Sequence, residues 1–185
     1  MVDGLKRFAI DGKASLLEEA DLGLFNGMLT TNLTFRDVLS FRGLYAPPYV
    51  SSDFQLEVRL FGEKVRTDEY FWHPFQAARH GRINGVEVHS ETVLCDGIRA
   101  AVLRFTLENR TARAVRVPLE ITIDGRLDRN EVWDFSRPQS ATPTRNLADE
   151  RRLVKANAAG AVAVATDLPD PAWEDSASLW KTTVS

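Results

Sequence analysis

Apolar and polar positions alternate through the middle of the chain. Residues 86–94 read VEVHSETVL, residues 99–108 read RAAVLRFTLE and residues 114–124 read AVRVPLEITID. Successive side chains on a strand point to opposite faces, so a period of two marks strands with one buried face. In the second run Ala101, Leu103, Phe105 and Leu107 share a face; in the third Val115, Val117, Leu119, Ile121 and Ile123 do. Asn109–Arg113 between them is a polar turn, which predicts that the two runs pair as an antiparallel hairpin. Residues 54–61, FQLEVRLF, alternate as cleanly, with Phe54, Leu56, Val58 and Leu60 on one face.

The flanking segments extend this reading. Phe8 and Ile10 predict a first strand that stops at Asp11-Gly12, and Ser15 with Glu18 forms a capping box for a short helix through Ala20. Asn26-Gly27 is a turn, residues 30–39 are a candidate strand, and Pro47-Pro48 interrupts regular structure. Pro74 argues against a central strand over 69–76, so an edge strand or loop is expected there, with a helical turn over Gln76–His80. Asn84-Gly85 opens the central ladder. Residues 136–146 read as an exposed loop, and Arg152–Ala156 and Ala161–Thr166 as two short strands. The expected fold is all-β: an antiparallel two-layer β-sandwich with few short helices over residues 1–167, followed by an irregular tail or truncated strand over 168–185.

Composition narrows the function classes. The 185 residues are 44% hydrophobic, enough for one cored domain, and the net charge of −3 comes from 23 basic and 26 acidic residues mixed along the chain. Without a basic stripe, no nucleic-acid partner is expected. No apolar run reaches the roughly 18 residues of a membrane helix, and the N-terminus lacks a signal-peptide core, so the expectation is a cytoplasmic protein without a membrane partner. Cys95 is the only cysteine, which excludes an internal disulfide and a cysteine metal site.

Nucleophile elbow, P-loop, dinucleotide and zincin signatures are all absent from the sequence, and no catalytic residue or cofactor is assigned. Glu87, His89 and Glu91 fall on one face of a strand, about 7 Å apart, and are competent metal ligands. One strand rarely aims three successive same-face groups at one ion, so a solvated face is the preferred reading. The aromatic segment Tyr70–Phe75 carries more weight. Rings with polar tips stack on sugar faces while nearby donors and acceptors meet the hydroxyls. Tyr70, Trp72, His73, Gln76 and Arg79, with Trp133 further on, are therefore candidate carbohydrate contacts, although large aromatics serve burial first, so core or interface packing is the preferred role for the rings.

Three segments together, FRGLYAPPYVSSDFQLEVRLFGEKV, EYFWHPFQAARHGRINGVEVHSETVL and IRAAVLRFTLENRTARAVRVPLEITIDGRL, resemble the N-terminal β-sandwich (supersandwich) domain of multi-domain glycoside hydrolases. The features that carry the likeness are Gly97–Leu107 leading into Asn109-Arg110-Thr111, the following strand to Gly125, and Trp133; it spans about residues 41–135. In that family the sandwich precedes an (α/α)6-barrel catalytic domain that holds the acid and base. The sequence after residue 135 has no long amphipathic helices, so no catalytic residue carries over. The resemblance implies a non-catalytic accessory domain of a carbohydrate-active enzyme, packing on a catalytic barrel or partner chain and able to touch oligosaccharide. Two alternatives stand beside it: a stand-alone carbohydrate-binding module and a small metal-dependent enzyme. An uncovered sandwich face or edge would also favour a homodimer.

Overall fold

The computed structural model describes residues 10–13, 21–34, 36–125, 127–129, 145–149, 151–156, 160–174 and 179–184. The N-terminal half carries β1 (Ile10–Lys13), β2 (Asp21–Phe25), β3 (Thr30–Thr34), β4 (Ser40–Ala46), β5 (Tyr49–Leu60), β6 (Thr67–His73), β7 (Gln76–Ile83) and β8 (Val86–Leu94). Then come β9 (Ala101–Asn109), β10 (Val117–Asp124), β11 (Asp128–Arg129), β12 (Arg145–Ala148), β13 (Arg152–Ala156), β14 (Ala161–Ala165), β15 (Ala172–Glu174) and β16 (Leu179–Val184). The fold is all-β, every strand pair is antiparallel, and no helix occurs among the described residues.

Two sheets face each other. One has the order β1-β6-β7-β8-β9; the other runs β15-β16-β10-β5-β4-β3-β2, with β11 added beside β5; a third, smaller sheet is β12-β13-β14. Their inner faces meet in one apolar core. Leu24, Leu33, Phe41, Phe54, Val58, Leu119 and Ile123 of the larger sheet pack toward Ala77, Val86, Val88 and Leu94 of the five-stranded one. Alternation marks the face correctly on every long strand: β8 buries Val86, Val88 and Leu94, and β10 buries Val117, Leu119, Ile121 and Ile123.

Pairing departs from the local reading in several places. β9 and β10 do not form a hairpin. Among the described residues β9 pairs only β8, whereas β10 lies between β5 and β16 in the opposite sheet. Asn109 braces the crossing by accepting from the Thr111 amide (2.8 Å) and donating to the Arg113 carbonyl (2.6 Å). Two strands with apolar faces bury more by facing each other across a core than by lying side by side in one sheet. Segment 69–76 is not an edge or loop. β6 is interior, between the short β1 and β7, and Pro74 sits in its turn, where no ladder donor is needed. Gln76–His80 is strand rather than helical turn. Asp11-Gly12 continues β1 instead of stopping it. The candidate strand 30–39 ends at Thr34. The capping box at Ser15 and most of the 136–146 loop lie outside the described residues.

The C-terminal segment is built into the larger sheet. β16 pairs β10 over six positions, Ile121 opposite Trp180, and Trp180 is 1% exposed with its ring against Trp173 at 5.2 Å. Arg152–Ala156 and Ala161–Ala165 form the two short strands that the sequence predicts.

Candidate functional sites

The aromatic hairpin is mostly spent on the interior. Its Pro74-Phe75 turn sets a register that pairs Tyr70 with Arg79 and Trp72 with Ala77. Tyr70 is 6% exposed, His73 8% and Arg79 3%. Trp72 is half-buried and donates its indole N–H to the Gly23 carbonyl at 3.1 Å. Gln76 donates to Glu91. Phe71 and Phe75 flank His73, edge-on at 4.7 Å and stacked at 6.1 Å. The six candidate sugar contacts therefore do not converge: three are buried, two are tied to neighbours, and Trp133 lies outside the described residues.

Arg79 joins the two sheets. Its Nη1 donates to the Asp37 carbonyl (2.6 Å) and the Thr34 carbonyl (3.2 Å), and Nη2 to Thr92 Oγ1 (3.2 Å). Burial pulls the guanidinium pKa down to about 10, opposed by the nearby Asp37 carboxylate. Burial likewise pushes the Asp37 carboxyl up, against the Leu39 amide it accepts from (3.0 Å) and the Arg79 charge. Ser90 donates to the Val38 carbonyl beside it. Thr34, Asp37 and Val38 are thus bound from the opposite sheet by two side chains, Arg79 and Ser90, with Thr92 holding the Arg79 guanidinium. Such a network specifies how the sheets stack.

The outer face of the five-stranded sheet carries the charged groups. Glu91 is held by Arg104 and Gln76. Glu87 accepts from Arg110 (3.0 Å), which chiefly lowers its pKa, and pairs with Arg82 (3.1 Å). Glu91 does not join Glu87 and His89; its place is taken by His80 of β7. Ligand atoms of His80, Glu87 and His89 lie within 4.8 Å of one another. The signal for His80 was present in the sequence. Asn84 and Gly85 both adopt positive φ (49° and 79°), the two-residue turn that an Asn-Gly dipeptide favours, and the resulting register sets His80 directly opposite His89.

A cleft of about 940 Å³ opens between β9 and β14. Its floor is apolar: Phe41, Leu44, Phe54, Leu56, Ile121 and Trp180. Its walls are consecutive residues of 99–105 and 160–168 rather than every second one, so the strands border it with their edges. Each is the last strand of its sheet among the described residues. Val102, 51% exposed, stands on one rim; Arg99 closes an end, donating to the Pro47 carbonyl (2.9 Å) over the Tyr49 ring. Periodicity finds the buried faces but not this cleft, because it is made by residues far apart in the chain.

Compared with known proteins, the chain matches no family model, no curated protein and no solved structure. No helix among the described residues is long and apolar enough to cross a membrane.

Proposed function

We propose that the chain is a non-catalytic β-sandwich accessory domain of a carbohydrate-active enzyme of the glycoside-hydrolase type, and that it packs on its catalytic domain through the cleft between β9 and β14. The observation that supports this reading is the cleft's composition. Its floor is apolar, and its walls are the edges of β9 and β14, each the outermost strand of its sheet among the described residues. An extended protein segment with alternating apolar side chains suits such a cleft, its backbone running beside the strand edges and its side chains on the floor, as in strand addition.

The test titrates the purified chain with a panel of oligosaccharides by tryptophan fluorescence and with an (α/α)6-barrel glycosidase domain by co-elution. Expected are no saccharide response and a complex that Val164→Glu, on the cleft wall, removes. Saturable quenching by an oligosaccharide that disappears in Trp72→Ala would replace this reading with a stand-alone carbohydrate-binding module.

A further inference from the structure

We propose that His80, Glu87 and His89 form a surface site for a divalent transition-metal ion of the zinc and copper class. The site is on the outer face of the five-stranded sheet and is independent of the docking reading above.

Its geometry follows from the hairpin. His80 and His89 are register partners on β7 and β8, and their rings lie 4.5 Å apart, tilted by 33°. Glu87 is two residues from His89 on the same face, with Oε2 4.0 Å from His89 Nε2. A tetrahedral ion with bonds of about 2.0–2.1 Å needs ligand atoms roughly 3.3 Å apart. The three groups lie within 4.8 Å of one another, and none is buried, so small side-chain rotations close the gap. Two imidazoles and one carboxylate suit zinc or copper and disfavour calcium and magnesium, which take oxygen ligands. Water would complete the coordination.

Arg82 and Arg110 decide how strong the site is. Both pair with Glu87, and Arg110 also binds Glu108 at 2.8 Å. They hold the carboxylate beside the histidines, but their charge opposes a cation. Both are more than half exposed, so they can turn to solvent when an ion arrives. Removing Arg110 should therefore tighten metal binding while leaving the ligands in place.

The experiment is calorimetry of the untagged full chain with Zn²⁺, beside the electron paramagnetic resonance spectrum of added Cu²⁺. The chain has three histidines, so His80→Ala/His89→Ala leaves only the buried His73. Loss of a partner one shell removed from a metal costs about 10–100-fold in affinity, and loss of a direct ligand should cost at least as much. Expected are one Zn²⁺ per chain, at least that loss in His80→Ala or His89→Ala, tighter binding in Arg110→Gln, and nitrogen hyperfine structure from two imidazoles on Cu²⁺. Absence of saturable Zn²⁺ uptake, or uptake unchanged in the double variant, overturns the proposal. All three side chains point outward from the sheet, so circular dichroism should report unaltered folding in each variant.

Discussion

Replacing Arg79 with methionine keeps an unbranched apolar stem and removes the guanidinium with its charge and donors. Three hydrogen bonds disappear, two of them to the carbonyls of Thr34 and Asp37, and the Asp37 carboxyl, 3% exposed, loses its nearest buried cation. Breaking a buried charged network by deleting one partner costs about 3–5 kcal/mol. For a chain of this size that lowers Tm by roughly 6–20 °C, taking 2–4 °C per kcal/mol. The cost should also depend on pH. Burial already raises the Asp37 pKa in the folded state, so the unfolded chain binds fewer protons there, and stability falls as pH rises from the ordinary carboxylate value through the folded one. Without Arg79 the folded value rises further and the window extends upward, so Arg79→Met should cost more at pH 8 than at pH 5. Urea denaturation followed by tryptophan fluorescence at both pH values measures this. Asp37→Asn keeps the bond from the Leu39 amide and removes the charge, so in Arg79→Met/Asp37→Asn part of the loss should return at pH 8. A cost below about 1 kcal/mol, or a double variant equal to the sum of the singles, would refute the reasoning.

Three further outcomes test the fold. Gly81→Ala should destabilise by about 1–3 kcal/mol, because the added Cβ would stand 2.1 Å from the Arg66 carbonyl oxygen; Gly23→Ala, whose Cβ meets nothing closer than 3.7 Å, should stay within about 0.5 kcal/mol in the same denaturation assay. Trp180→Ala should cost about 3–5 kcal/mol by thermal unfolding, and Trp180→Phe much less, since the buried indole N–H has no partner among the described residues. Burial raises the Glu57 pKa, but hydrogen bonds from Lys64 and Arg59 outweigh it and bring the value below the ordinary range. Its stabilisation is therefore present above the unfolded carboxylate pKa and lost as pH falls through the folded one, so Glu57→Gln should cost about 1 kcal/mol at pH 7 and flatten the acid limb of stability against pH.

The sequence by itself determined the strongly alternating strands β5, β8, β9 and β10 and the face each one buries. Period-two alternation acts within a single strand, where neighbouring side chains must part to opposite faces, so Leu103 and Ile121 could be placed inward without knowing what they touch. Local turn chemistry went one step further. Asn84-Gly85 favours one hairpin register, and that register contains the His80–His89 pair, although neither residue signals it alone. The aromatic run 70–75 was legible as favouring burial, because large rings usually serve packing first, but which of its members the opposite sheet covers was not. Only the tertiary structure decided that β9 and β10 belong to different sheets, that Trp180 completes the larger one, and that Arg79 lies between the two. It alone made the cleft, whose walls come from segments about sixty residues apart. Sheet membership depends on which distant faces bury the most surface together. That total belongs to the whole chain and is written in no local pattern.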